Sequence, residues 1–405
     1  MRNKFIVISI LFSIISCTNK KIIIEKIEFN NKYRFSSEIE NKVKTDTIAW
    51  KYQISMTDYA TKGDYQNALK HWGLAFRSKP KSYTKTQIDS INKKYKIVKA
   101  TDYITEQANK NQIVIINEAH HNSSHRVFTK SLLQKLYDVG YKNLGFEALG
   151  NGAYLDSLLN KRKYPIQETG FYIKNPQFGN LVRDALSIGY HLFAYENTNN
   201  SDGKQREIEQ AKNIQMMIKK KPNEKFIIHC GFDHVLEGNY PRWEKTMAGR
   251  LEEYTGINPF TINQTQYTEK SKSELNHPLL KSLNIKEPSI LLDKNNIPYK
   301  YRRGKTWTDI AVFHPNTIYI DDRPNWLFKN GNKNIIVELK EIDILFPVMV
   351  LAFKKGENIN NAVPIDIYEV KNKSINPHLA LPKGKYEIVV VNKGNDAQKF
   401  ELEVK

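Results

Sequence analysis

The chain has 405 residues, a formal charge of +19, two cysteines and an ordinary share of apolar and aromatic residues. That length accommodates one large α/β domain with smaller additions, and the apolar content is enough to bury a real core, which excludes a disordered chain. The positive charge runs along the whole chain with abundant Lys, Asn, Ile and Tyr and forms no basic face interleaved with aromatics, so no nucleic-acid partner is expected.

The N-terminus, "MRNKFIVISILFSIISC", has a short basic start, an apolar run from Phe5 to Ile15, then Ser16 and Cys17. The run is too short for an ordinary transmembrane helix. It resembles a secretory signal of the bacterial lipoprotein type, with "IISC" as the lipobox. The resemblance implies cleavage before Cys17 and attachment of lipid to its sulfur. With Cys17 so used, Cys230 stands alone and no intramolecular disulfide is available. Residues 1–17 are therefore expected as signal peptide and 18–46 as a polar, partly extended tether. Thr18 lacks the acid associated with inner-membrane retention, which places the expected protein at the periplasmic face of the outer membrane, its membrane contact made by the lipid anchor.

Residues 47–108 read as a helical extension. In "ISMTDYATKGDYQNALKHWGLAF", Ala60, Tyr65, Ala68 and Trp72 take the positions a helix–turn–helix packs, with Gly63 at the turn. One such hairpin cannot bury its own face, so it is expected to pack on the main domain. From 109 to 332 the pattern alternates. "QIVIIN", "NLGFEAL", "YHLFAYEN" and "EKFIIHCG" read as strands, and amphipathic helices such as "VFTKSLLQKLYDVG" and "REIEQAKNIQMMIKKK" separate them. This spacing requires crossovers and a parallel sheet. "PFTINQT" and "DIAVFHPNT" read as further strands of the same domain. From 333 to 405 strands follow one another with turns and almost no helix, as in "FPVMVLAFKK" and "LPKGKYEIVVV". That grammar reads as a small antiparallel β-sandwich of the carboxypeptidase-regulatory or fibronectin type.

Parallel sheets expose their chemistry at the carboxyl ends of the strands, near a topological switch point. Here those ends carry Glu118 and His120, then Glu147, then Glu196, then His229 with His234 just beyond. Four successive strands thus deliver carboxylate or imidazole to one rim. Glu118 and His120 are two apart and point the same way from an extended strand end. His121 and His125 are four apart and share a face if a helix begins at His121; capping and surface hydrogen bonding account for them equally well. A carboxylate beside an imidazole suits general acid–base chemistry, and the same groups are ordinary metal ligands, although the spacing matches no recognised zinc motif. Arg206 and Asn213, seven apart on one helix, either solvate it or reach the pocket. Asp233 caps a helix or touches substrate. Tyr195 and His191 read as structural, His314 as a residue able to close the rim, and His71 has no expected role.

The stretch "NEAHHNSSHRVFTKSLLQKLYDVGYKNLGFEAL" resembles the opening of the erythromycin esterase-like and ChaN-like superfamily, which includes the Tiki and TraB proteins. Its members carry a strand ending in Gly-Glu-x-His or Gly-Glu-x-x-His, a helix, and a strand ending in Glu. Glu118 matches the motif acid; His120 fits one spacing and His121 the other. Asn117 stands where the family has glycine, and Asn tolerates a left-handed backbone there. His125 falls where ChaN-like members have a further histidine, "REIEQAKNIQMM" places Arg206 and Asn213 on the family's Arg-containing helix, and "IIHCGFDHVLEG" matches Gly231 and His234 to a later strand end. The resemblance covers about residues 110 to 320.

It implies one of two activities. In the first, a Glu/His pocket made by Glu118, His120 or His121, Glu147, Glu196 and His234 activates water on an ester, lactone or amide of a small-molecule or peptide substrate, with or without a divalent metal. In the second, a lipoprotein without turnover binds haem or a metal for iron uptake through its His-rich loop, with His121 and His125 as candidate ligands; His229 is a further binding candidate or a satisfied core histidine, and His314 a further binding candidate.

Overall fold

The computed structural model describes residues 23–199 and 202–405. The proposed signal peptide and Cys17 lie outside these residues. Among the described residues no helix is long and apolar enough to cross a membrane.

The expected α/β fold is present. Its centre is an eight-stranded sheet in the spatial order Lys96–Lys99, Ser289–Leu292, Ile310–Phe313, Phe260–Tyr267, Ile113–Glu118, Lys225–Gly231, Tyr141–Phe146, His191–Ala194. The last six run parallel, and the first two add an antiparallel edge. The strand "IVIINE" (Ile113–Glu118) is buried along its whole length, as a central strand covered on both faces must be. Its side chains divide by parity. Val114 and Ile116 pack with Phe128, Leu132 and Leu136 of helix Ser124–Asp138. Ile113 and Ile115 pack with Ala211 and Ile214 of helix Gly203–Lys220 and with Met247 and Leu251 of helix Met247–Thr255.

Helix ends follow local chemistry. Asn175 caps helix Pro176–Ile188 by accepting from the N–H groups of Gln177 and Phe178 at 2.9 and 3.2 Å, and Gly189 closes it at φ +115°, a backbone that costs glycine nothing. The chain lays down strands Ile113–Glu118, Tyr141–Phe146 and His191–Ala194, then returns to insert Lys225–Gly231 between the first two. The carboxyl ends of three neighbours, at Glu118, Gly231 and Phe146, meet at this reversal. Ligands bind at such switch points.

Two expected boundaries change. The α/β domain begins earlier than residue 109, because strand Lys96–Lys99 is its edge and Ala100, Ile104 and Ala108 of helix Ala100–Asn109 lie in its core. Residues 23–46 are not a loose tether. Glu25–Lys26 pairs with strand Asp396–Val404, and Ser36–Thr45 is a helix. The reason lies in "VMVLAFK" (Val348–Lys354), which is apolar on both faces. Its Val348, Val350 and Ala352 pack under the Lys333–Ile336/His378–Leu381 ribbon, and its Met349, Leu351 and Phe353 are covered by Ile27, Tyr33 and Phe35 from the N-terminal arm. The C-terminal unit is a five-stranded antiparallel sheet completed by the arm and capped by that ribbon.

The helical hairpin forms as expected, Lys51–Thr61 and Tyr65–Ala75, with Gly63 at φ +80° in the turn. It packs on both neighbours: Tyr65 meets Leu327 and Ala380, and Trp72 stacks on His121.

The C-terminal sheet is joined to what precedes it by a buried pair, Arg323 and Asp366. Asp366 accepts from Arg323 with both oxygens at 2.6 and 2.5 Å and from the Ala380 N–H at 2.7 Å. Asp366→Ala leaves a guanidinium buried without its partner, which costs about 3–5 kcal/mol. A urea melt of this variant is expected to shift to a clearly lower midpoint; an unchanged midpoint refutes the role of the pair.

Candidate active site

Glu118 ends its strand 1 % exposed. Arg126, one turn into the following helix, binds it in a fork, Nε to Oε2 and Nη2 to Oε1, both at 2.6 Å. Burial on its own raises the carboxyl pKa, but Arg126 and the His120 hydrogen bond hold it well below the ordinary value. An ionised carboxylate only accepts, so the 3.0 Å contact between Glu118 Oε1 and His120 Nδ1 places a proton on Nδ1. In the neutral ring Nε2 then carries a lone pair. His120 lines a cleft of about 980 Å³, and its ring stacks on Tyr172 with centroids 3.9 Å apart.

A second cluster faces the same cleft. Glu147 accepts from Arg206 Nη2 at 2.6 Å and from the Gly231 N–H, and its Oε1 lies 3.4 Å from His234 Nε2. The other ring nitrogen, Nδ1, lies 2.6 Å from Glu207 Oε1. Burial works against a charged His234, yet Glu147 and Glu207 outweigh it and push its pKa from 6.5 up to about 9. Burial also works against an ionised Glu147, and His234 and Arg206 overcome it to bring that carboxyl down to about 2. Arg206 also grips Glu196, Nε to Oε1 at 3.0 Å, and Gln210 donates to the same oxygen.

Gly231 separates the two clusters. Its φ of −85° is open to any residue, so the requirement is space. A Cβ there would stand 2.6 Å from His120 Nε2 and 3.3 Å from Glu147 Oε2. The next residue, Phe232, takes φ +37°, an uncommon backbone for an aromatic residue that turns the chain towards His234.

Of the expected site residues, Glu118, His120, Glu147, Glu196, Arg206 and His234 assemble at this cleft, with Glu118 behind the ring it orients. His229 lies beneath it, buried against Phe146 and Phe178 with Nε2 3.7 Å from Glu118; burial lowers its pKa to about 4. His120 is thus the imidazole beside the acid, and His121 is not. The helix begins at Ser124, so His121 and His125 do not share a helical face. His121 stacks on Trp72 with centroids 4.0 Å apart, and its ring lies 6.3 Å from that of Phe232. His125 accepts from the Ala119 N–H at 3.0 Å and faces His314 across 5.2 Å. Burial lowers the pKa of all three, that of His314 to about 3. His314 therefore closes a core contact and not the cleft rim.

Asn213 donates to the Tyr195 carbonyl at 3.0 Å instead of reaching the pocket. Tyr195 is core, its hydroxyl on the His229 carbonyl. Asp233 accepts from Tyr240 and Arg303. Asn117 is in regular strand, not left-handed backbone; its amide donates to the Phe232 carbonyl at 2.7 Å and accepts from the Gln264 N–H at 2.9 Å, pinning the Phe232 loop.

A haem axial ligand needs an imidazole facing an apolar slot, and the packed rings of His121 and His125 do not fit that role. Among the described residues no three His, Cys, Asp or Glu side chains converge as a metal set; the rim carboxylates are instead held by Arg206.

Three residues absent from the sequence expectation matter here. Arg126 follows His125 directly, Glu207 follows Arg206, and Tyr172 lies in the loop before helix Pro176–Ile188. For Arg126 and Glu207 a signal existed, since an unexplained charge beside a motif residue on a helix is a candidate partner. For Tyr172 there was none.

No family profile and no curated protein matches the chain. Among solved structures it is similar to the type III effector HopBA1 at 12% identity and a TM-score of 0.32, over 46% of this chain and 95% of that one. It is also similar to RRSP, a MARTX toxin effector domain from Vibrio vulnificus CMCP6, at 16% identity and a TM-score of 0.30, over 49% and 44% of the two chains. A third is the C-terminal region of Pasteurella multocida toxin, described with a thiol-protease-like catalytic triad, at 10% identity and a TM-score of 0.31, over 91% and 56%. The match spans about half the length of the last two chains. Likenesses this slight carry no chemistry to the present site.

The two pKa shifts set a pH window. His234 is raised above its unfolded value, so the stability it contributes is fully present below pH 6.5 and lost as pH rises through about 9; Glu147 contributes above 4.5 and loses it as pH falls through about 2. The His234 ring signal is expected to titrate near pH 9 by NMR and to move towards 6.5 in Glu207→Gln. A wild-type midpoint near 6.5 contradicts the ion-pair assignment.

Proposed function

We propose that the protein is a hydrolase that activates water on an ester, lactone or amide. The observation that carries this reading is the buried Arg126–Glu118–His120 series, which leaves His120 Nε2 as a base directed at the main cleft beside a protonated His234. In the proposed step water gives its proton to His120 Nε2 as its oxygen bonds to the substrate carbonyl carbon. Glu118 supports the imidazolium that forms. The His234 N–H and the Arg206 guanidinium stabilise the oxyanion, and His234 passes its proton to the leaving oxygen or nitrogen as the carbonyl–heteroatom bond breaks. His234, held protonated by its two carboxylate neighbours, takes the acid role, and His120, with its Nε2 lone pair, takes the base role. The resemblance of the sequence motifs to erythromycin esterase-like proteins agrees with this chemistry.

The test is a panel of esters, lactones and peptides with purified protein. Glu118→Gln and His120→Asn are each expected to lower kcat/KM on any cleaved substrate by about 10²–10⁴-fold. Turnover unaffected by Glu118→Gln sinks the assignment.

We further propose that the enzyme works from a lipid anchor at Cys17, on the periplasmic face of the outer membrane. The lipobox-like "IISC" supports this. Wild-type protein is expected in the membrane fraction of bacterial cells and Cys17→Ser protein in the soluble fraction; equal membrane retention of both argues against the anchor.

A further inference from the structure

One side of the cleft is apolar well beyond the buried site. The segment that follows Glu147 leaves Tyr154 80%, Phe171 78%, Leu158 59% and Leu155 53% exposed. Single exposed apolar residues need no explanation, but two large exposed rings that line the same cleft offer it an apolar surface. Tyr154 and Phe171 line the cleft itself. Phe171 also connects to the chemistry: it meets Tyr172 edge-on at 4.9 Å and 88°, and Tyr172 stacks on His120 at 3.9 Å and 13°. An aromatic wall thus runs from solvent to the ring that carries the base.

The other wall comes from the N-terminal arm and is polar, but its cations are engaged. Arg34 pairs with Asp58 at 2.6 Å, Lys32 donates to the Lys393 carbonyl, and Lys174 donates to the Asn31 side chain and the Lys32 carbonyl at 2.8 and 2.9 Å. Each of these cations already has an oxygen partner within the fold. The cleft, at about 980 Å³, is also far larger than a short ester requires.

We propose that the substrate carries a long alkyl acyl chain, which lies along Tyr172, Phe171 and Tyr154 while its carbonyl carbon reaches His120. The carbonyl placement rests on the hydrolase reading above; the chain placement rests on the wall alone. Burial of methylenes on this surface is worth up to about fourfold in kcat/KM per group, so length is expected to govern selectivity.

The experiment uses full-length protein and a series of p-nitrophenyl esters from acetyl to decanoyl, with calorimetric titration of sodium decanoate into the Glu118→Gln protein alongside. The decanoyl-to-acetyl ratio of kcat/KM is expected to be large in wild type and to fall about tenfold in Phe171→Ser. It is expected to hold in Leu345→Ser, which alters an equally exposed residue of the C-terminal unit. A ratio that is flat with length, or that Phe171→Ser leaves unchanged, overturns the proposal. If no p-nitrophenyl ester is cleaved, the carbonyl placement fails for esters and calorimetry decides for the wall: saturable decanoate binding weakened about tenfold by adding Phe171→Ser sustains it, and no binding overturns it.

Discussion

The site depends on the fork between Arg126 and Glu118. A carboxylate 1 % exposed at the end of a central strand would take up a proton and lose its ability to orient an imidazole, unless a cation shared its desolvated space. Arg126 is that cation and is equally buried, with its guanidinium over the Phe178 ring at 4.6 Å. Both of its contacts to Glu118 come from one rigid helix that starts six residues after the strand ends, so the carboxylate cannot rotate away. The His120 tautomer follows from this fork. A lysine at 126 would supply charge without the bidentate geometry that fixes both oxygens.

The two cleft histidines show how position alone divides chemistry between identical side chains. His120 is hydrogen-bonded to a carboxylate at Nδ1 and has an aromatic face against Tyr172. His234 has a carboxylate near each nitrogen, Glu207 2.6 Å from Nδ1 and Glu147 3.4 Å from Nε2, and the two negative charges favour the ring protonated on both. The first arrangement leaves a lone pair and the second leaves none. Gly231 keeps these environments close, because the absent side chain is what lets His120 Nε2 approach the backbone beside Glu147.

Much of this was legible in the sequence where local grammar is strong. Alternation of strand and helix located the parallel sheet, and the strand ends at Glu118, Glu147, Glu196 and His234 were visible as the places where apolar runs stop. What was not legible depended on where the chain turns. His121 and His125 looked like members of the site because they neighbour His120, but the turn between Ala119 and Ser123 sends His121 against Trp72 and His125 against His314. A three-residue shift in the helix start, from His121 to Ser124, decides this, and element ends are the least certain part of a periodic pattern. His314 and Asn213 were candidates by type; only their packing on other elements identifies them as structural. Arg126 and Glu207 are flagged in sequence only by their place beside a motif residue, and their burial is set by packing with distant elements.

The N-terminal arm shows the same limit from the opposite end of the chain. Its sequence is polar enough to read as a tether, yet Ile27, Tyr33 and Phe35 are the apolar residues that cover one face of the C-terminal sheet. Between those anchors, Asn31 to Arg34 form one wall of the cleft. Residues more than 300 positions apart in sequence therefore pack together, and the arm that lines this side of the cleft rests on the C-terminal strands. The C-terminal unit is thus part of how the cleft is built, which is a physical reason for the α/β domain and a β-rich unit to be joined in one chain and not merely strung together.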